Sequence, residues 1–192
     1  LTAIGCKMVR TRFLTINEYN LYRAWLNERS SESLAMYFGT ATSADFINAL
    51  VDKILNNPEE HYFLVAMIGR KWVGVIHMAR ISETQMEFGV MVDEQHRGEG
   101  IADTLMQEAI TWIQNRKFNR LYLHCLNRNA AMKHLAVKHG LELHEDYGDV
   151  EAVTEVPPLS VISLIAETLS YQKNIFFMNL QNTWAPYTEL LS

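Results

Sequence analysis

Residues 8–16 alternate in the period-two pattern of a strand, with Met8, Arg10, Arg12, Leu14 and Ile16 on one side and Val9, Thr11, Phe13 and Thr15 on the other. Thr15 or Asn17 can then cap a helix running to about Asn27. Residues 28–42, rich in Ser and Thr with one Gly, show weaker periodicity. Ser43-Ala44-Asp45-Phe46 opens a helix in which Phe46, Ile47, Leu50, Val51, Ile54 and Leu55 recur at helical spacing until Pro58 ends it. Strands are predicted over 62–68 and 72–81, joined by a Gly69-Arg70 hairpin, and over 85–92, completing an antiparallel meander. Helix 100–116 carries Ile101, Leu105, Ala109, Trp112 and Ile113 on one stripe. Strand 120–126, helix 129–139, strand 141–145 and an edge strand over 150–156 follow. Beyond Pro157-Pro158, a helix is predicted over 159–180 with Ile162, Ile165, Leu169, Phe176 and Leu180 on a stripe, then an aromatic tail of Trp184, Pro186 and Tyr187. Alternating strands and helices of this kind make an α/β domain.

Between strand 85–92 and helix 100–116 lies Asp93-Glu94-Gln95-His96-Arg97-Gly98-Glu99-Gly100. A helix start has backbone N–H groups without partners and the positive end of the helix dipole, and glycines let the backbone approach a phosphate closely. Arg97-x-x-Gly100-x-Ala102 therefore predicts a pyrophosphate site. The third glycine of a dinucleotide fingerprint is missing and no Gly-Lys-Ser/Thr follows, which excludes the Rossmann and P-loop versions of such a site.

The loop resembles the acetyl-coenzyme A loop of the GNAT N-acetyltransferases, Arg/Gln-x-x-Gly-x-Gly/Ala after the fourth strand, in Arg97, Gly100 and Ala102. Downstream, Asn129 falls on the family asparagine and Gly140-Leu141 on its Gly-Phe, so that the two motifs span about residues 84–145 in the family's order. The resemblance implies a GNAT fold: a mixed, mostly antiparallel central sheet with helices on both faces, here with a C-terminal helical extension. It implies acetyl-CoA as cosubstrate, its pantetheine arm lying between splayed strands 85–92 and 120–126. The backbone of Val90, Met91 and Val92 would line that arm, and Gly98, Glu99, Gly100, Ile101, Ala102 and Asp103 would surround the pyrophosphate together with Arg97 and Asn129. It also implies that residues 28–42 line the acceptor pocket, with Trp25, Tyr37 and Phe38 as contacts.

Composition changes this picture little. At 192 residues, nearly half of them apolar, the chain can bury its own core. Residues 1–156 form the acetyltransferase domain in this reading and 157–192 the extension, packed on its own sheet or, less favoured, on a second copy in a homodimer. Cys6 and Cys125 make no disulfide framework, and no secretory or membrane-spanning apolar run is visible, so a soluble cytoplasmic protein is expected. No metal is expected. A formal charge of −5 argues against nucleic-acid binding and is compatible with a cationic amine.

Acetyl transfer needs a deprotonated amine, donors for the developing oxyanion and a proton for the departing thiolate. Two candidate bases stand on the strands of the cleft. Some N-terminal protein acetyltransferases that resemble this chain carry a glutamate where His124 stands, and Glu87 shares a face with Gly89 and Met91 on the other strand. The usual family tyrosine, seven residues after the asparagine, is replaced by Ala136; Tyr147, His134 and His139 are alternative proton donors. Glu99 and Asp103 add negative charge near the expected phosphates, which Arg97, Arg128 or Lys133 would offset. The leading expectation is an N-acetyltransferase acting on a primary amine. The alternative is a GNAT-fold acyl-CoA-binding or regulatory module without efficient transfer.

Overall fold

Seven strands form one sheet in the order β1-β2-β3-β4-β5-β7-β6, with helices on both faces. The strands are β1 (Val9–Phe13), β2 (His61–Ile68), β3 (Lys71–Arg80), β4 (Gln85–Val92), β5 (Arg120–Leu126), β6 (Glu142–Asp146) and β7 (Asp149–Glu155). The helices are α1 (Tyr19–Asn27), α2 (Ser31–Phe38), α3 (Ala44–Asn56), α4 (Ile101–Asn115), α5 (Ala130–Lys138) and α6 (Val161–Thr188). The computed structural model describes residues 8–146 and 149–188, without the side chains of 146 and 180–188. Cys6, Tyr147 and the side chains of Leu180, Trp184, Pro186 and Tyr187 lie outside the described residues.

The first strand stops at Phe13, short of the predicted 16. Thr15 and Glu18 take the backbone out of the extended form: the Thr15 amide donates to the Glu18 carboxylate at 2.9 Å and the Glu18 amide to the Thr15 carbonyl at 2.9 Å, a reciprocal cap that starts a helical turn. Ser43 caps α3 by accepting the Phe46 amide, as its position before the apolar period suggested. Ser30 caps α2 in the same way through the Ser33 amide, where the weak periodicity of 28–42 pointed to no helix.

Alternation along the strands splits the core. Phe63, Val65, Val75 and Met91 pack with α1, α2 and α3 on one face, while Leu64, Ile76, Met86, Phe88, Leu121 and Leu123 pack with α4 and α5 on the other. All neighbouring strands pair antiparallel except β4 and β5, which run parallel and pair only at Gln85–Arg120, Met86–Leu121 and Glu87–Tyr122. Past Glu87 the strand stays with β3 while β5 stays with β7, so the sheet opens into a cleft.

Two expectations are corrected. The strand over 149–155 is interior, between β5 and β6, because the β6–β7 hairpin folds back so that β6 becomes the edge. The C-terminal helix does dock on its own domain, against α4 and β1, but not through the apolar stripe. Its inner side is polar: Ser163 donates to Asn115 at 2.6 Å, Arg116 donates to Glu167 at 3.0 Å, and Asn174 exchanges hydrogen bonds with Thr11 at 2.9 and 3.0 Å. Those directional bonds turn Ile162, Ile165, Leu169 and Phe176 outward, Ile162 to 80% exposure.

Candidate active site

The glycine loop joins the end of β4 to α4 as expected. Gly98 and Gly100 adopt left-handed backbone angles, φ 78° and 79°, which glycine takes without steric cost, and nothing lies within 4 Å of where a side chain would start. No side chain caps α4, and its first intrahelical bond runs from the Thr104 amide to the Gly100 carbonyl at 3.1 Å. The amides of Ile101, Ala102 and Asp103 therefore lack acceptors within the helix and sit at the positive end of a 15-residue dipole. This donor set fits a pyrophosphate.

The acidic residues near the loop have local partners, other than the groups expected. The Asp103 carboxylate meets Lys138 at 2.8 Å and His139 at 2.9 Å, which hold it below its ordinary pKa, and Glu99 meets His96 at 3.2 Å. Arg128 takes no part in an ion pair among the described residues, and Lys133 pairs with Glu145. Arg97 reaches the Ser33 hydroxyl at 2.6 Å. Asn129 caps α5, its side-chain oxygen accepting the Met132 amide at 3.1 Å.

Sequence reasoning missed the network that fastens the loop to α2. Arg29 donates to Asp93 at 2.6 Å with both side chains buried, and Glu94 accepts from the Ser30 amide and hydroxyl and from the Ser33 hydroxyl. Burial alone would raise the Glu94 pKa, but the serine donors hold it down to about 2. The helix-capping Ser30 and the acid directly after an apolar strand were the only signals in the chain.

The cleft exposes backbone as well as side chains. The Asp93 amide donates to the Val73 carbonyl of β3 at 2.9 Å, and the antiparallel register alternates from there. The carbonyl of Phe88 and the amides and carbonyls of Val90 and Val92 thus point away from β3, into the cleft beyond the last β5 pair. Met91, between them, points its side chain into the α1 core at 6% exposure.

Glu87 and His124 meet across this cleft. Strand alternation places both on the α2 face, where Glu87 Oε1 and His124 Nε2 are 4.0 Å apart and each side chain is about half exposed. The same face of β7 and β6 is open, carrying Glu151 opposite His124 and His144, with Asp149 and Glu142 nearby. On the other side of the cleft Tyr37 of α2 lies over Gly89 of β4, its hydroxyl 2.6 Å from the position a Gly89 Cβ would take. Ala136 is fully buried in the core behind the cleft, His134 is exposed on α5 and His139 is committed to Asp103.

The family model described as the acetyltransferase (GNAT) family matches residues 20–141, well over half of the chain. The chain belongs to this acetyltransferase family. Solved GNAT structures share the fold at low identity. Spermidine N-acetyltransferase from Vibrio cholerae, in complex with CoA and spermine, is 18% identical with a TM-score of 0.62, covering 77% of this chain and 95% of that one. PaiA N-acetyltransferase from Thermoplasma acidophilum, in complex with coenzyme A, is 19% identical with a TM-score of 0.60 over 77% and 99% of the two chains. Ribosomal-protein-alanine N-acetyltransferase from Brucella melitensis is 22% identical with a TM-score of 0.59 over 76% and 98%. No curated protein matches the sequence. The GNAT match ends at residue 141, so β7 and the outward-facing α6 lie beyond it. Among the described residues no helix is long and apolar enough to cross a membrane, and no cluster of His, Cys, Asp or Glu could hold a metal ion.

Proposed function

We propose that the chain is an acetyl-CoA-dependent N-acetyltransferase that moves an acetyl group to a primary amine by direct attack in a ternary complex. The observation that carries this reading is the Glu87–His124 pair, 4.0 Å apart at the point where β4 and β5 part, on the strand that leads into the glycine loop. Two of the structural neighbours were solved with coenzyme A, which supports the same ligand here. The α4 amides and the glycine loop would hold the pyrophosphate, with Arg97 and Asn129 at its border. The cleft-facing backbone of Val90 and Val92 would align the pantetheine arm as an added strand, and a β4 amide would polarise the thioester carbonyl. Acetyl-CoA supplies an activated acyl group, and the chain's own residues supply position and proton transfer.

His124, with Glu87 beside it, removes the proton of the incoming ammonium, directly or through water. The carboxylates of Glu87, Glu151, Glu142 and Asp149 make the open sheet face around them negative, which attracts a cationic amine and orients it toward the cleft. A thiol-release assay with acetyl-CoA over a panel of monoamines, polyamines and peptides tests the reading. Release should be fastest with acceptors carrying a second cationic group. Coenzyme A binding without thiol release from any acceptor would instead favour the non-transferring module, the alternative that the buried Ala136 supports.

For a protein partner, the outward arc of α6 fits a second copy of the chain. Glu167 and Lys173 are the only charged residues of α6, and Glu167 lies on its inner side, held by Arg116, so Lys173 is the one charge that two such arcs would have to keep apart. The arc leaves Ile162, Ile165, Leu169 and Phe176 more than half exposed in one contiguous stripe, the kind of apolar surface that marks an interface. A helix lying on a membrane surface would carry Lys and Arg along its polar side, whereas this one carries Ser163, Glu167 and Asn174 there.

A further inference from the structure

We infer that the Tyr37 hydroxyl donates a hydrogen bond to the negative charge that develops on the thioester during transfer, in place of the side chain lost at Ala136. The inference rests on the acetyltransferase reading above and adds a catalytic residue from a different element of the fold.

The geometry is specific. Gly89 follows the last β4–β5 pair by two residues, so it stands where the cleft begins. A Cβ built on Gly89 would lie 2.6 Å from Tyr37 Oη and 2.8 Å from Tyr37 Cε2 and Cζ, closer than real atoms pack. The glycine therefore lets a phenol rest on the strand backbone at the cleft mouth, on the same face as Glu87 and His124. From beneath, the Tyr22 hydroxyl donates to Tyr37 Oη in a long contact of 3.4 Å. Tyr37 thus accepts from Tyr22, and its own proton has no acceptor among the described residues. A hydroxyl placed by ring packing over Gly89 and with no acceptor of its own is available to whatever enters the cleft.

Burial raises the Tyr37 pKa to about 12, with Glu87 nearby adding to it. A thiol loses its proton near pH ~8.5, so a phenol this weak does not hand its proton over to sulfur. It acts by hydrogen bonding. The step balances without a proton from Tyr37: the base takes one proton from the ammonium and passes it to solvent, the amine nitrogen attacks and the C–N bond forms, the base takes the second nitrogen proton, and the C–S bond breaks with sulfur keeping the electron pair and taking a proton from solvent.

Tyr37→Phe keeps the ring over Gly89 and removes the donor, together with the acceptor of the buried Tyr22 hydroxyl. We expect kcat to fall about 10²-fold with the dissociation constant for coenzyme A at neutral pH unchanged, while the melting temperature drops slightly for want of the Tyr22 partner. A second readout needs no turnover. Thiolate absorption of coenzyme A bound to the full chain, titrated with pH, should show a thiol pKa at least one unit higher in Tyr37→Phe than in the wild type. Equal thiol pKa values in the two proteins, or an unchanged kcat, overturn the inference and leave the acetyltransferase reading standing. Failure of the wild-type chain to bind coenzyme A overturns both.

Discussion

The Glu94 carboxylate accepts hydrogen bonds from both the amide and the hydroxyl of Ser30, at 3.0 and 2.8 Å, so that the residue capping α2 is itself held by the loop that follows β4. Helix α2 and the glycine loop are joined through ionised side chains, Glu94 and Arg97, that both reach Ser33. That makes the junction sensitive to acid.

Glu94 and Glu18 both have folded-state pKa values lowered from 4.5 to about 2, Glu94 by its serine donors against burial and Glu18 by Arg12. A depressed carboxylate pKa contributes stability above the unfolded value and loses it as pH falls through the folded one. Denaturant midpoints should therefore hold steady above pH 4.5 and decline from there toward pH 2. Glu94→Gln should flatten part of that decline. Both groups are partly solvated, so the combined loss is expected to stay at a few kcal/mol or less. An unchanged profile in the variant would show that Glu94 contributes nothing to it.

Alanine at His124 or at Glu87 should lower kcat by about 10²-fold or more while coenzyme affinity stays within a factor of two or so, because the loss belongs to the chemical step. Steady-state kinetics and calorimetry on the same preparations separate the two effects. An ascending pH limb that persists in His124→Ala belongs to another group, and wild-type rates in both variants would remove the pair from the mechanism.

A Cβ at Gly100 would meet no atom within 4 Å, so Gly100→Val should leave the fold standing with roughly 1–2 kcal/mol of backbone strain from its positive φ. The branched side chain instead fills the open space in front of the α4 amides. Calorimetry should show coenzyme A binding weakened at least tenfold in a protein with a native circular dichroism spectrum. Wild-type affinity would move the phosphate site elsewhere.

Ile165→Glu places a charge in the outward arc of α6 without touching the Ser163, Glu167 and Asn174 contacts. Sedimentation should find the wild-type chain dimeric at micromolar concentration and this variant monomeric with unchanged coenzyme binding. A monomeric wild type would leave the arc without a second copy as its partner.

Alternation and helical spacing made β2 through β5, α3, α4 and the glycine loop legible, because each pattern stays within one element. The pairing of Glu87 with His124 was readable as shared faces, although the 4.0 Å approach depends on where β4 and β5 part. Three features were not legible for one physical reason: periodicity says which residues share a face and not what that face meets. It could not order β7 inside β6, could not turn the α6 stripe toward solvent, and could not show Asp103 answered by Lys138 and His139 from a distant helix. The short α2 escaped because its cap, Ser30, lies in a run of serines with little apolar rhythm.

Only three residue pairs join β4 to β5, so the sheet is a four-strand half and a three-strand half held by a narrow seam. A molecule that bridges the open part of that seam does the work of a missing strand. Coenzyme binding and cohesion of the two halves are then one equilibrium. The protein should be hardest to pull apart, by heat or by protease, when its cosubstrate is abundant, and the gain should grow with the logarithm of cosubstrate concentration.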